Sequence, residues 1–373
     1  MFDKLLEKIG FQTIDEIVGV DIGTNSIKIC VLKKTKKGLK LFNIVRKMYS
    51  ENLLSDGHII DNDIVANELK NILIENKIKS KYAACALSSY CAITKKISLP
   101  LIGEKSTEKS GKASSAPVFD DEKIIEAEVE NIIPFPIRDI NYSYQMMGLD
   151  QEDENIVNII IVAAKKEIVE GFVKTFQAAG LNLVILDIDI FALTNLVEQI
   201  YKPQDSSAVV VDIGASVTNM AIIKGENIEF TREILLGGRY LTGQIEKSLN
   251  LSFEEAEQKK IKGDDEVLYL FEDFIFNIAS EINKTINFYI STNPNETLGK
   301  LYLSGGTSLL RGLNEKITEY TNLEVEYLNP FALFSESPGF NNEDLSMLDA
   351  YEDHKEFNAI ALQLSSRILE IEQ

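Results

Sequence analysis

Apolar and polar positions fall into short blocks along this chain, and two of the blocks repeat one another. Residues 18–33 read VGVDIGTNSIKICVLK and residues 209–224 read VVVDIGASVTNMAIIK. Each is an apolar run ending in Asp-Ile-Gly, a small polar turn and a second apolar run, the pattern of a β-hairpin. Residues 61–76 place Ile64, Leu69, Ile72 and Leu73 at helical spacing, and residues 82–87 and 91–99 read as strands. A helix is expected from Glu122, with Ile125, Val129 and Ile132 on one face and Glu122, Glu126 and Glu130 on another. Asp120 or Asp121 would cap it, and Pro134 and Pro136 end it. Strands over 142–148 and 156–164 flank an acidic turn at 150–154. A helix over 166–179 follows, with Gly180 suited to its C-cap. A strand at 183–188 and a helix at 190–201 lead into a linker, 203–207, before the second hairpin. The chain then predicts helices, a strand at 300–303, the turn Ser304-Gly305-Gly306-Thr307 and a helix over 308–320. Residues 103–117 (GEKSTEKSGKASSAP) and 331–351 lack apolar periodicity and read as loops. Residues 357–369 are helical in pattern.

Composition narrows the function classes. A chain of 373 residues exceeds the size at which one core stops growing, so two domains are expected. With 38 Lys+Arg against 58 Asp+Glu the net charge is −20, which repels nucleic acid and anionic membrane surfaces. Three cysteines, Cys30, Cys85 and Cys91, do not make a disulfide framework and fit a reducing cytoplasm. Two histidines and no CxxC argue against a Cys/His zinc site. The most apolar run, IVNIIIVAA at 156–164, falls short of a membrane span. The opening segment MFDKLLEKIGF carries acids inside its apolar pattern and does not read as a signal peptide.

The chemistry lies in the repeat. Gly23 and Gly214 have no Cβ, so the turn backbone can approach a ligand and turn its N–H groups on phosphate oxygens. Asp21 and Asp212 repel phosphate unless Mg²⁺ with its waters stands between them. Either hairpin alone is equally an Asp-Gly turn without a ligand. Two of them suggest half-sites facing one nucleotide.

Further segments carry a resemblance: EAEVENIIPFPIRDINYSYQ (126–145), IIIVAAKKEIVEGFVKTFQAAGL (159–181), FTREILLGGRYLT (230–242) and LYLSGGTSLLRGL (301–313). With the two DIG hairpins, DIGTNSIK and DIGASVTN, they resemble the actin-like ATPase superfamily, and within it the PilM family of type IV pilus assembly, relatives of the division protein FtsA. The resemblance spans nearly the whole chain. It implies an α/β, two-lobed actin-like ATPase (ribonuclease H-like) fold with an inserted FtsA/PilM-type subdomain. Lobe I would cover 1–204 with the insertion at about 81–164, lobe II 205–345, and a C-terminal loop and helix, 346–373, would return to lobe I.

The same resemblance implies ATP and Mg²⁺ between the lobes. Asp21, Gly23, Thr24 and Ser26 would form one phosphate loop, and Asp212, Gly214, Ser216 and Thr218 the other, with both aspartates reaching Mg²⁺ through water. Glu257 and Lys260 of AEQKK would lie by the ribose and base, and Gly237, Gly238, Gly305 and Gly306 would border the nucleotide. Asp189, at the start of the linking helix, would position the attacking water. Asn219 stands where many superfamily members carry Thr or Asp. Read without the family, Glu257 and Lys260 are an i,i+3 ion pair of about 0.3 kcal/mol, Asp189 complements a helix dipole, and Gly305-Gly306 is a strand-to-helix turn.

The expected activity is nucleotide binding with at most slow hydrolysis. The expected partner is the cytoplasmic N-terminal tail of a PilN-like inner-membrane protein, docked in the inserted region. Self-association is allowed, nucleic acid is not expected, and membrane contact is indirect. An FtsA-like filament or a small-molecule kinase are the alternatives.

Overall fold

The computed structural model describes residues 15–35, 38–100, 122–150, 153–203, 206–334 and 358–367. The opening segment, the 103–117 loop, Asp120, Asp121 and most of 331–351 lie outside them.

The chain begins with an antiparallel meander of β1 (Glu16–Ile22), β2 (Ser26–Thr35) and β3 (Gly38–Met48). A small pair, β4 (Leu54–Ser55) and β5 (His58–Ile59), precedes α1 (Asn62–Glu75), whose N-cap Asp61 accepts hydrogen bonds from the N–H groups of Asp63 and Ile64. After β6 (Tyr82–Leu87) come β7 (Ala92–Pro100), α2 (Glu122–Ile132), β8 (Ile140–Leu149), β9 (Ile156–Lys165) and α3 (Lys166–Ala178). Then follow β10 (Asn182–Ile188), α4 (Asp189–Tyr201), and a second meander of β11 (Ser207–Ile213), β12 (Thr218–Lys224) and β13 (Asn227–Ile234). Three helices, α5 (Gly238–Leu249), α6 (Phe253–Lys262) and α7 (Leu268–Thr292), lead to β14 (Leu298–Ser304), α8 (Leu313–Thr321), β15 (Glu324–Tyr327) and α9 (Ala359–Ser366).

By their contacts the residues form two compact units, one from positions 1–89 and 172–373, the other from Tyr90–Gly171. The first holds two five-stranded sheets of one topology. Their strand orders are β3-β2-β1-β6-β10 and β13-β12-β11-β14-β15, each a three-stranded antiparallel meander extended by two parallel strands. The repeated sequence blocks are therefore the central hairpins, β1–β2 and β11–β12, of a duplicated fold. Strand β6, inside the 81–164 segment, belongs to the first of these sheets.

Burial explains the elements. Helix α7 places Phe271, Phe274, Ile275, Ile278, Ile282, Ile286 and Tyr289 on one buried stripe against Val209, Val211 and Leu303 of the second sheet. On the first sheet, α9 is buried along its whole length and packs on β1, β2, β6 and α4. A Cβ on Gly19 of β1 would lie 1.9 Å from the Ala361 carbonyl oxygen, so only glycine admits this helix. Arg367 then donates to the Asp187 carboxylate at the end of β10.

The second unit is a three-stranded antiparallel sheet, β7-β9-β8, with α2 on one face. Ile125, Val129, Val157, Ile159 and Ile161 form its core. One expectation fails locally. The paired-glycine turn does not run into a helix over 308–320: Gly306–Leu309 is a 3-10 turn, and Gly312 adopts φ 85° before α8 starts at Leu313. That left-handed backbone interrupts helical hydrogen bonding.

Candidate functional site

The two Asp-Ile-Gly turns are built alike. Gly23 donates its N–H to the Ser26 carbonyl at 2.8 Å, and Gly214 donates to the Val217 carbonyl at 3.0 Å. A Cβ on Gly214 would stand 2.9 Å from that carbonyl oxygen. The glycine N–H groups thus close the turns themselves, and Thr24-Asn25 and Ala215-Ser216 form the tips. Ser26 is buried, Ser216 is exposed, and the buried Thr218 hydroxyl donates to the Leu236 carbonyl at 2.7 Å.

Strand register sets the charges. Directly paired residues share a sheet face, so Asp21, Lys28 and Arg46 form one row across β1, β2 and β3. The equivalent row on the second sheet is Asp212, Asn219 and Glu233. The Lys28 ammonium donates to Asp21 Oδ2 at 2.5 Å. Burial pushes the Asp212 carboxyl up to about 6; the Lys28 charge and a Ser304 hydroxyl oppose the rise, while the Asp21 charge adds to it. Both predicted aspartates are therefore brought together with Lys28. That lysine lies inside the DIGTNSIK motif but was not among the expected site residues; the signal that marks it is its hairpin register opposite Asp21.

Asp189 opens α4 and holds several elements. Its Oδ1 accepts from the Ser89 N–H at 2.9 Å, from the Ser89 hydroxyl and from the Ile190 N–H at 2.6 Å. Its Oδ2 accepts from Asn219 Nδ2 at 2.8 Å. Burial is the main cause raising this carboxyl to about 7, with the Asp212 charge adding and the Ser89 and Ile190 donors opposing. Asn219 Oδ1 is buried without a hydrogen-bond partner among the described residues.

The glycines Gly237, Gly238 and Gly305 stack on the second turn. Added Cβ atoms would come 2.5 Å from Ala215 O, 2.3 Å from Thr307 Oγ1 and 2.5 Å from Ile213 O respectively. Gly305 also adopts φ 90°. Gly238 and Arg239 donate N–H groups to Gly214 O and Ala215 O, and the Thr307 hydroxyl donates to Gly214 O at 2.8 Å. Gly306 begins the adjoining 3-10 turn.

Glu257 and Lys260 make more than a surface pair. The Lys260 ammonium donates to Glu257 Oε2 at 2.6 Å, to Thr242 Oγ1 at 2.8 Å and to Gly238 O at 3.3 Å, and the Thr242 hydroxyl donates to Glu257 at 2.6 Å. Lys260 is buried, and desolvation lowers its pKa against the pull of Glu257. A Ser252–Glu255 capping box starts α6 and fixes where both side chains emerge. Among the described residues no cluster of three or more His, Cys, Asp or Glu could hold a metal ion. A cation at Asp21 and Asp212 would take most of its ligands from water or a bound anion.

Duplicated β-meander sheets, each carrying an Asp-Ile-Gly turn at the head of its central hairpin, define the actin-like ATPase fold. The chain superposes on the solved PilM-PilN type IV pilus biogenesis complex with a TM-score of 0.80, at 24% identity, covering 96% of this chain and 99% of that one. It also superposes on the ethanolamine utilization protein EutJ of Carboxydothermus hydrogenoformans with a TM-score of 0.55, at 18% identity, covering 94% and 89%. The chain belongs to the family described as type IV pilus assembly protein PilM, which matches residues 19–362. Among characterised relatives, the cell division protein FtsA of Streptococcus pneumoniae serotype 2 (strain D39) is 22% identical over 86% of this chain and 77% of its own length. FtsA of Enterococcus hirae is 22% identical over 87% and 80%.

Proposed function

We propose that the chain is an ATP-binding actin-like scaffold of the type IV pilus inner-membrane assembly complex, recruiting the cytoplasmic N-terminal tail of a PilN-like membrane protein. The observation that carries the nucleotide half is the meeting of Asp21, Asp212 and Lys28 at the heads of two equivalent hairpins. The residues fit Mg²⁺: Asp21 raises the Asp212 carboxyl, so a divalent ion would relieve a repulsion already present. When bound, the ion would neutralise phosphate charge. Turn tips at Thr24-Asn25 and Ala215-Ser216, the Glu257–Lys260 pair and the loops at Gly237-Gly238 and Gly305-Gly306 would enclose the nucleotide. Asp189 is the group to orient an attacking water, but Asn219 already holds its Oδ2, which fits slow hydrolysis.

The tail is assigned to the second unit. Strand β8 is an edge of its sheet, and exposes Tyr144, Met146 and Leu149. A cleft of about 530 Å³ lined by Glu130 and residues 133–138, with Phe135 exposed, lies in the same unit. An extended peptide adds to such an edge through its backbone and seats alternate side chains. The PilN pairing seen in the solved PilM-PilN complex supports this occupant. Through this partner the scaffold would sit at the cytoplasmic face of the inner membrane; no described helix is itself long and apolar enough to cross a membrane.

Calorimetry with ATP and Mg²⁺ tests the site: Asp212→Ala should abolish Mg²⁺-dependent binding while the protein stays folded, and unchanged affinity overturns it. Pull-down with the tail peptide should fail for Phe135→Glu combined with Met146→Glu; retained capture overturns the docking assignment. ATP-dependent pelleting would instead favour an FtsA-like filament. Helix α9, buried along its length, is not available as a membrane-binding amphipathic helix.

A further inference from the structure

The end of the first sheet opposite the Asp-Ile-Gly turn gathers lysines. Strand β1 runs about 20 Å from Glu16 to Ile22, and its neighbours fix what stands beside its start. On one side Lys33 of β2 pairs with Glu16, and Lys40 of β3 pairs with Lys33. On the other lies the connection from α1 to β6, Lys77-Ile78-Lys79-Ser80-Lys81. Lys77 adopts φ 56°, a left-handed turn that ends α1. From there the side chains alternate in direction: Ile78 and Ser80 are half-buried, while Lys77, Lys79 and Lys81 are exposed. The Ser80 hydroxyl donates to Glu16 O at 3.0 Å, which sets this run beside the start of β1. Asn43 Nδ2 donates to Asn76 O at 3.2 Å and joins β3 to the end of α1.

Two large apolar side chains stand among these lysines. Phe42 is 49% exposed, with the Lys33 ammonium 5.7 Å from its ring centre. Ile74 is 66% exposed, one turn before Lys77, whose N–H donates to Ile74 O. Over positions 15–16, 33–35, 38–42 and 74–81 the described residues carry six lysines against Asp15, Glu16 and Glu75. Lys34 and Lys40 engage other groups; Lys33, Lys77, Lys79 and Lys81 define the patch.

The chain as a whole carries −20, so an anionic surface repels it at long range. Within a screening length of about 8 Å at physiological salt only the nearest charges count, and the acidic remainder turns the lysine end toward such a surface. Lysines beside exposed Phe and Ile side chains match a bilayer interface: ammonium groups meet anionic headgroups, and the apolar groups enter the acyl boundary. A nucleic acid offers phosphates to the lysines but no apolar layer to Ile74. We infer that this end of the first sheet is a weak docking face for an anionic lipid bilayer, so that the protein touches the membrane itself as well as through a partner. The contact is independent of the nucleotide and of the tail peptide.

The test is co-sedimentation of the full chain with vesicles of phosphatidylglycerol mixed equally with phosphatidylcholine, and with vesicles of phosphatidylcholine alone. The wild type should bind only the anionic vesicles and leave them as salt rises. Lys77→Gln with Lys79→Gln and Lys81→Gln should lower partitioning about tenfold or more. The same three positions changed to Arg should retain it, which secures the result if the glutamine triple unfolds. Lys247→Gln with Lys262→Gln and Lys284→Gln removes the same charge from exposed positions on α5, α6 and α7, and should leave partitioning within about twofold. Phe42→Ser should weaken binding without changing its salt dependence. A wild type that binds neither vesicle, or equal losses in the two glutamine triples, overturns the docking face. Equal binding to duplex DNA at matched salt, with Phe42→Ser without effect on either, overturns a bilayer as the occupant.

Discussion

The carboxyl of Asp189 ties the stability of the nucleotide-free protein to pH. Burial lifts it from 3.8 to about 7 in the folded state. The folded state therefore holds this proton more tightly than the unfolded chain. The group's stabilising contribution is complete below about pH 4 and is lost as pH rises to about 7. Roughly three pK units at about 1.4 kcal/mol each set an upper value of about 4 kcal/mol, of which about 2 to 3 kcal/mol falls between pH 5 and pH 8. Asp212, raised to about 6, adds about 1 kcal/mol with the same sign over that interval. In Asp189→Asn the amide oxygen can still accept from Ser89 and Ile190. The new amide N–H₂ then faces Asn219, which can turn its unpartnered Oδ1 toward it. The geometry survives and the titration does not. Urea unfolding at pH 5 and pH 8, in EDTA and without nucleotide, should show the wild type losing about 3 kcal/mol or more and the variant about 1 kcal/mol. Parallel losses in the two proteins would refute the argument, because the pH dependence would then arise elsewhere.

Two further substitutions probe the walls of the site. Gly305→Ala sets a Cβ 2.5 Å from Ile213 O and 2.8 Å from Asp212 Oδ1 at φ 90°, and should cost about 3 kcal/mol by thermal denaturation; a loss under about 0.5 kcal/mol would mean that the strand end yields freely. Lys260→Met strands Glu257 and Thr242 without their ammonium and should cost about 3 kcal/mol, most of it recovered in the double variant with Glu257→Gln; additive losses in that cycle would count against a coupled pair.

The duplicated hairpins were legible because their alternation of apolar runs and Asp-Ile-Gly turns is local. The third strand of each meander was not described from the sequence, although Arg46 and Glu233 take their place in the charge rows from it. Ser89 lies 100 positions from Asp189, and no periodicity links the two. The glycines show a different limit. Gly237, Gly238 and Gly305 were expected to border a ligand; the Cβ direction of each is closed by the Ala215 and Gly214 backbone, by Thr307, and by Ile213 with Asp212 respectively. Sequence reveals that a backbone must be approached closely, but not which neighbour approaches. The break at Gly312 was missed for a related reason, since the apolar spacing across 308–320 continues through it and only its positive φ ends the turn.

The seating of α9 on Gly19 gives the duplicated fold a direction in time. Strand β1 is the first described element to leave the ribosome, and the helix that fits against its glycine is the last. Until that helix emerges, the sheet bearing Asp21, Lys28 and Arg46 keeps a bare apolar flank, while the second sheet can complete its core with α7 as soon as β14 and β15 follow. Synthesis thus finishes the later half first. The earlier half depends on a long-range closure of the slow kind that exposes a growing chain to chaperones and misassembly, so a truncated translation product would carry one finished half-site and one unfinished one.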